Sequence, residues 1–452
     1  MPESSTQEPK RVLIIANLLK SSPRIPRLIR HLPSFGWLPT IITPRIPTNT
    51  ERIFNAPPKN IRHLGIEIIE TGEVRYYEQF KEETPALQTI TPIKSFLARL
   101  DSTDGRKIAE IIRKYYWRLY LTANFPDVDK SWKEDALKAA RELLKERKFD
   151  ILISSFSPVI SHIIASELKK EFGIPWIADY RDLWTLNHNY PLGPIMRLFD
   201  VRLEKRTMRL CDAMVTVSES LTRDLSAMFR EKEVLTIPNG FDLGERIAIV
   251  PLTKEFTMTY TGQIYHGKQD FALLIDSLSE LLMEGRMDRN RVRLRFYGPI
   301  DEQLKRYAEE KKLADVLEQP GAISREESLI RQSESQMLIF FNWDDPSQPG
   351  IGSGSLKLLE YLQAKRPILV TGRNKDNVSS KIVKETAAGK IGTSIQETKD
   401  ILLSAYDRYL ESGAVPFEGK SSDIDKYDFR HSVRGYASLM NRIAGQTIEK
   451  AF

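Results

Sequence analysis

Residues 150–184 read "DILISSFSPVISHIIASELKKEFGIPWIADYRDLW", and this stretch decides the fold. Its two ends, "DILISS" (150–155) and "PWIADY" (175–180), are short apolar runs of the kind that form buried parallel strands. Between them, "SHIIASELKKEFG" (161–173) has the apolar spacing of a helix and ends on Gly173, where a C-cap glycine belongs. This order predicts a strand, a crossover helix and a second, parallel strand.

The same alternation extends in both directions along the chain. The first series holds strand-like runs at 11–17, 39–44 and 213–218 and a helical pattern at 132–148. A second series starts at "VLTIPNG" (234–240) and continues with runs at 256–262, 291–298, 336–342 and 367–372, separated by helical patterns near 270–285, 301–313, 325–333 and 355–364. The fold class predicted is therefore α/β, with two Rossmann-like, doubly wound domains.

The domain boundaries follow from these two series. We expect a first domain at 1–245, interrupted by an insertion at about 50–130, and a second at 246–430. The segment 431–452 predicts a terminal helix, which packs on the second domain or crosses back to the first.

The composition excludes several classes of protein. No apolar run approaches the roughly 20 residues of a membrane-spanning helix, and the first residues lack the pattern of a signal peptide. The single Cys211 rules out an internal disulfide, and the six histidines lack metal-ligand spacing. We therefore expect a cytoplasmic protein with no metal site, although the need for a divalent metal stays open, and we expect no nucleic-acid partner.

The positive charge of the chain is concentrated in two places. The formal net charge is +6, and basic residues cluster in "RIPRLIRHL" (24–32) and "RKIAEIIRKYYWRLY" (106–120). The second run mixes basic with aromatic residues, as does a helix lying on an anionic membrane surface. The alternative is a helix that packs its aromatic residues on its own domain. Peripheral contact with the inner face of a membrane is thus one of two interpretations.

Two loops of the second series have the composition of an anion site. "TGQIYHGKQDF" (261–271) follows a predicted strand, with Gly262 allowing close backbone approach and Lys268 next to a helix start. "PGIGSGSLKLLEYL" (349–362) is rich in glycine, and Ser355 is placed as an N-cap ahead of Lys357 and Glu360. The alternatives are a glycine turn with a solvated lysine and a capped helix with a surface Lys–Glu pair.

Two loops of the first series carry charged residues after a strand. In "PWIADYRDLW" (175–184), Asp179, Arg181 and Asp182 suit sugar hydroxyl binding or proton transfer. In "ANLLKSSPRIPR" (16–27), Arg24 and Arg27 are placed to face an anionic donor or acceptor. A buried ion pair that shapes the loop is the competing interpretation for the first of these.

These motifs, in this order, resemble those of the GT-B glycosyltransferases, specifically the retaining, family-4-like group. The resemblance also includes "IPNGFD" (237–242), "FYGP" (296–299), "PGAISREE" (320–327) and "LEKRTMRLCDAMVTVSESL" (203–221). It implies two domains facing each other across a cleft. It also implies a nucleotide-diphosphate sugar as co-substrate and a glycan or lipid-linked acceptor.

The resemblance assigns roles in the second domain. Glu360 matches the second glutamate of the family's Glu-x7-Glu motif, which binds the donor ribose, and Lys268 matches the lysine that binds the diphosphate. Ile323 lies in the loop that frames the nucleobase. Gly262, Ser355 and Lys357 complete the expected nucleotide-sugar site.

The sequence departs from the family pattern at two positions. Gly352 stands where the first glutamate of the motif is expected, and Gln263 stands where an arginine usually follows the strand glycine. We expect Lys357 to supply the missing positive charge, because a diphosphate with one cation fewer loses a charge-assisted contact of roughly 1.5 to 3 kcal/mol.

The mechanism implied by the resemblance uses the leaving diphosphate as the base. Lys268 and Lys357 then stabilise the departing phosphate, while Asp179 and Asp182 orient hydroxyl groups and Arg24 and Arg181 contact acceptor or sugar. We expect a hexosyltransferase of surface polysaccharide or glycolipid synthesis. The alternatives are a nucleotide-sugar 2-epimerase and a non-catalytic scaffold with a transferase-like fold.

Overall fold

The computed structural model of the chain describes residues 9–18, 20, 23–45, 65–74, 118–187, 190–242, 250–343, 356–375 and 377–449, without the side chains of 446–449. Backbone contacts divide the chain into two compact units. The first comprises Met1–Ile237 and Val433–Phe452, and the second comprises Pro238–Ser432.

The first unit is built on a parallel sheet. Its described strands are β1 (Lys10–Ile15), β2 (Trp37–Pro44), β3 (Glu67–Thr71), β4 (Ile151–Phe156), β5 (Trp176–Tyr180), β6 (Ala213–Thr216) and β7 (Glu233–Thr236). They pair in the order β3-β2-β1-β4-β5-β6-β7, each parallel to its neighbour. The helices are α1 (Arg24–His31), α2 (Trp132–Glu146), α3 (Ile160–Phe172), α4 (Pro194–Met208) and α5 (Glu219–Met228).

The stretch that decides the fold forms the predicted strand–helix–strand unit. β4 and β5 are buried along their full length and pair in parallel, with Leu152 opposite Trp176. Helix α3 ends at Gly173, whose φ of 70° is the left-handed conformation of a C-cap glycine. The helix packs its apolar side on the core that Leu152 and Trp176 share with Ile164. The predicted fold class is confirmed for this unit.

Two segments of the first unit differ from the prediction. "VLTIPNG" was placed at the start of the second series, yet its strand β7 pairs with β6 at the edge of the first sheet. Part of the predicted insertion, Glu67–Thr71, is strand β3, which pairs with β2 at the other edge. Both corrections concern edge strands, whose partners depend on tertiary pairing and not on local pattern.

The second unit has its own parallel sheet. The described strands are β8 (Phe256–Thr261), β9 (Val292–Tyr297), β10 (Leu317–Gly321), β11 (Met337–Phe341), β12 (Ile368–Thr371) and β13 (Gly389–Gly392), paired in the order β10-β9-β8-β11-β12-β13. The helices are α6 (Ala272–Met283), α7 (Glu302–Glu310), α8 (Arg325–Glu334), α9 (Leu356–Ala364), α10 (Val378–Thr386), α11 (Ile395–Ser412) and α12 (Ser421–Ile424). Helix α13 (Phe429–Glu449) ends the described chain, and from Val433 onward it belongs to the first unit.

The order of the second sheet places its predicted binding loops together. β8 lies between β9 and β11, and all three strands run in the same direction. The chain segments after Thr261, Tyr297 and Phe341 therefore leave the sheet at one edge, which is where open α/β sheets bind ligands. This edge is the carboxyl edge of the second sheet.

Candidate functional site

The first feature of the carboxyl edge is a close backbone approach after β8. Gly262 has a φ of 111°, and its N–H donates to the carbonyl of Tyr297 over 2.6 Å. A Cβ placed on Gly298 would lie 2.3 Å from the Gly262 carbonyl oxygen. Glycine is therefore required at both positions, because a side chain would strain the first and collide with backbone at the second. The two glycines let the backbone after β8, the backbone after β9 and the Lys357 side chain approach one another closely.

Lys357 lies directly beside this opening. Its ammonium nitrogen is 3.7 Å from the ring centroid of Tyr260, and a Cβ added to Gly262 would lie 3.0 Å from it. Within the described part of the chain, no carboxylate forms a salt bridge with Lys357, and its only charged influence is Glu360, one turn along α9. The ammonium group is therefore held by an aromatic ring and not by a carboxylate of the described residues.

Burial changes the titration of this lysine. Desolvation lowers the pKa of Lys357 to about 7, and the attraction of Glu360 opposes that shift only in part. A phosphate group bound at the nitrogen would restore the charged form. The electrostatics of the carboxyl edge therefore favour an anionic ligand.

Glu360 is fixed on the same helix. It is almost fully buried, and its Oε1 accepts from Arg325 Nε over 3.1 Å and from Nη2 over 3.0 Å. The two nitrogens of one guanidinium thus orient one carboxylate oxygen. Arg325 is the first residue of α8, directly after the loop that contains Ile323 and the N-cap Ser324. This pair links the predicted ribose-binding residue to the predicted nucleobase loop.

Lys268 lies in the loop after β8, against an aromatic side chain. Its nitrogen is 4.9 Å from the ring centroid of Trp343, which follows β11. Tyr265 also contacts that indole ring, at 5.6 Å between centroids. Both lysines predicted to bind the diphosphate therefore lie over aromatic faces at the carboxyl edge.

A second cluster of charge lies in the first unit and has a different character. Arg24 donates from Nε to Asp179 Oδ1 over 3.1 Å, and from Nη2 to Ile237 O over 2.9 Å and to the Tyr436 hydroxyl over 2.7 Å. Asp179 also accepts from Tyr436 and, on Oδ2, from Ser155. Both charged side chains are buried. Burial lowers the pKa of Arg24, but Asp179 and Tyr436 outweigh it and raise that pKa overall.

Comparison with known proteins addresses both units. A family model described as Glycosyltransferase Family 4 matches residues 95–245. A sucrose-phosphate synthase from Thermosynechococcus elongatus aligns with 97% of this chain and 100% of its own, at 11% identity and a TM-score of 0.55. The chain has the GT-B fold.

A second solved structure has the same GT-B fold. It is a mutant of TarM from S. aureus, in complex with Fondaparinux, alpha-GlcNAc-glycerol and UDP. It covers 96% of this chain and 100% of its own, at 10% identity and a TM-score of 0.53. No curated protein sequence matches the chain. The resemblance noted in the sequence is thereby confirmed at the level of family segment and fold.

The GT-B sheet of the second unit brings together most of the predicted nucleotide-sugar residues. Gly262, Lys268, Lys357 and Glu360 all lie at or next to the carboxyl edge. Ser355 and Gly352 lie outside the described residues. Ile323 precedes the Arg325–Glu360 pair and is partly exposed.

The first unit of this GT-B chain places the predicted catalytic residues differently. Asp179 and Arg24 are bound to each other in the interior, so the geometry supports the buried ion pair over contact with acceptor. Arg27 is also buried. Arg181 and Asp182 pair over 3.4 Å, with the carboxylate more than half exposed. Asp182 is therefore the member of this group that solvent, and so a sugar hydroxyl, can reach.

Sequence reasoning missed several residues of the GT-B site. Arg325 orients Glu360, and Tyr260 and Trp343 hold the two lysines. A signal for Arg325 was present, because it lies within the quoted segment "PGAISREE" (320–327). The ring contacts had no local signal, since they join residues that are far apart along the chain. Tyr436 was missed in the first unit for the same reason.

Two searches of the described residues complete the site. Over the described ranges, no group of three His, Cys, Asp or Glu residues is arranged to hold a metal ion. Among the helices that the structure describes, none has the length and apolarity needed to span a membrane. The basic aromatic run at 106–120 lies outside the described residues except for its last three positions, which are helical.

Proposed function

We propose that this chain transfers a hexose from a nucleotide-diphosphate sugar to a hydroxyl group of a glycan or lipid-linked acceptor, with retention of anomeric configuration, in surface polysaccharide or glycolipid synthesis. The family segment and the GT-B fold support the reaction class. UDP is the first nucleotide to test, because the TarM structure of the same fold contains it.

The observation that carries the proposal is the environment of Lys357. A cation held over an aromatic ring, beside a glycine opening and without a carboxylate partner among the described residues, is a site for an anion. Glu360, three residues along the same helix, offers a fixed carboxylate for a ribose diol. The spacing of one helical turn places a phosphate binder and a ribose binder on the same side of α9.

The reaction then needs positioning and charge stabilisation more than a protein nucleophile. The acceptor oxygen forms a bond to the anomeric carbon while the bond from that carbon to the diphosphate oxygen breaks. The hydroxyl proton passes to the departing diphosphate. Lys357 and Lys268 stabilise the negative charge that develops on this leaving group. We assign to Asp182 the orientation of a sugar or acceptor hydroxyl, in place of the buried Asp179.

Incubation with a panel of nucleotide sugars tests the proposal. The expected result is release of free nucleotide only when an acceptor is present, with the sugar recovered on the acceptor in the anomeric configuration of the donor. Lys357→Met is the test variant, and Lys305→Gln, an exposed lysine on α7, is the matched control. Conversion of the sugar without acceptor would instead indicate an epimerase, and absence of nucleotide binding would contradict any donor-dependent reaction.

A further inference from the structure

Helix α4 of the first unit carries a continuous outer stripe. Residues at intervals of three and four along it share one face: Ile195, Leu198, Phe199, Arg202, Lys205, Arg206 and, directly after the helix, Arg209. All seven are exposed. We call this set the α4 stripe. Its first two turns are apolar and its last two turns are basic.

The inner face of α4 explains why the stripe faces outward. The two acidic residues of the helix, Asp200 and Glu204, are buried, and each accepts hydrogen bonds from the first unit. Asp200 accepts from the Tyr190 hydroxyl over 2.6 Å, and Glu204 accepts from the Tyr180 hydroxyl over 3.0 Å. Rotation of the helix would break these buried contacts. The stripe is therefore held in place by the residues opposite it.

The basic residues of the stripe form no salt bridge among the residues that the structure describes. In the part of the chain that the structure describes, no carboxylate forms a salt bridge with Arg202, Lys205, Arg206 or Arg209. The acidic residues that belong to the same helix lie on its buried side. A partner for this surface is therefore anionic.

The apolar half of the stripe identifies the kind of anionic partner. Ile195 is 74% exposed, and Leu198 and Phe199 are each 53% exposed. A nucleic acid offers phosphates but no apolar phase for these three side chains. An anionic bilayer offers both, because large apolar side chains insert below the headgroups while Lys and Arg contact lipid phosphates.

We propose that the α4 stripe docks this protein on anionic lipid bilayers. The apolar turns enter the interface, and the basic turns lie along the headgroups. This surface differs from the basic aromatic run at 106–120, and the proposal does not rest on the proposed glycosyltransferase reaction.

Flotation of the full chain with vesicles tests the proposal. One vesicle is phosphatidylcholine alone, and the other contains about 30 mol% phosphatidylglycerol. We expect the parent to bind the second vesicle much more tightly, with affinity that falls as salt rises. The triple variant Arg202→Gln, Lys205→Gln, Arg206→Gln should lose about two orders of magnitude in binding, at roughly a fivefold loss per charge. The triple variant Ile195→Ser, Leu198→Ser, Phe199→Ser should also weaken binding.

A control variant replaces exposed apolar and basic side chains of the second unit. The variant Ile300→Ser, Lys305→Gln, Arg306→Gln changes one exposed apolar residue and two exposed basic residues at the start of α7. It should bind like the parent, and thermal melting should show all variants folded. The proposal is overturned if the parent ignores both vesicles, if it binds RNA but not vesicles, or if both stripe variants bind as tightly as the control. UDP binding, measured on the same samples, reports separately on the proposed function.

Discussion

Arg24 in the first unit is buried and Lys357 in the second is partly buried, and the surroundings of these two basic side chains differ. Arg24 is saturated by a carboxylate, a hydroxyl and a carbonyl, all inside the first unit. Lys357 lies over the Tyr260 ring beside an open glycine edge, and no described carboxylate bonds to it. The two sites contrast a charge that is paired within the fold with one that we propose binds a ligand.

This difference follows from the cost of desolvation. A buried charge with full partners is stable in place, and removal of either partner leaves the other uncompensated. A charge with few partners destabilises the free protein and regains that energy when an anion arrives. We therefore expect substitutions at Arg24 to act on stability and substitutions at Lys357 to act on binding.

The largest expected effect is that of Arg24→Met. The substitution leaves Asp179 buried without its cation, which costs about 3 to 5 kcal/mol. Chemical denaturation should show this loss, while UDP affinity of the folded fraction stays that of the parent. The double variant Arg24→Met, Asp179→Asn should recover part of the stability. Equal stability of Arg24→Met and the parent would show that the pair contributes nothing.

The next effect is that of Lys357→Met. Loss of one charge-assisted contact to phosphate predicts weaker UDP binding by about 10-fold to 100-fold. Stability should stay equal or increase, because a poorly solvated cation is removed. Titration calorimetry measures the first quantity and thermal melting the second. Unchanged UDP affinity would contradict the role assigned to Lys357.

Protonation of the buried His162 in the first unit should affect stability only. Burial lowers the pKa of His162 to about 3, against the attraction of Asp179. The unfolded state binds this proton near pH 6.5, well above the pKa in the folded state. The free energy of unfolding therefore falls as the pH drops below 6.5, by about 2 kcal/mol at pH 5 relative to neutral pH. Chemical denaturation of the parent and of His162→Gln, each at neutral pH and at pH 5, measures this loss of stability. A parallel loss in both proteins would exclude His162 as its source.

The smallest effect expected is a partial rescue. Gln263 is exposed at the carboxyl edge, at the position where the related family has an arginine. Gln263→Arg in the Lys357→Met background should recover up to about fivefold of UDP affinity, since an exposed charge contributes about 1 kcal/mol or less. Gln263→Arg in the parent should change UDP affinity less than it does in the Lys357→Met background. No recovery would indicate that the diphosphate does not contact this position.

The sequence predicted the sheets better than the contacts between their loops. The run of β4, α3 and β5 was predictable because each element has a local period and a clear end, such as Gly173. The pairing of β7 with β6 was not, since "VLTIPNG" has the same pattern whichever sheet it joins.

In the candidate site, too, some residues were predictable from the sequence and others were not. Lys357 and Glu360 were predictable because their spacing on one helix is a property of the sequence. The ring of Tyr260 beneath Lys357 was not, since the two residues meet only after β8 and α9 have packed. The pairing of Arg24 with Tyr436 spans almost the whole chain and had no local signal.

The central claim is that Lys357 is the cation kept for the donor diphosphate, and the pH dependence of UDP affinity tests it most directly. Burial lowers the pKa of Lys357 in the unliganded protein to about 7, so raising the pH above that value neutralises its side chain. The UDP phosphates stay ionised over the same range, because their pKa is about 6. UDP affinity of the parent should therefore fall by up to tenfold per pH unit above about 7, whereas that of Lys357→Arg should stay level. Parallel pH profiles for the two proteins, measured by calorimetry, would contradict the claim.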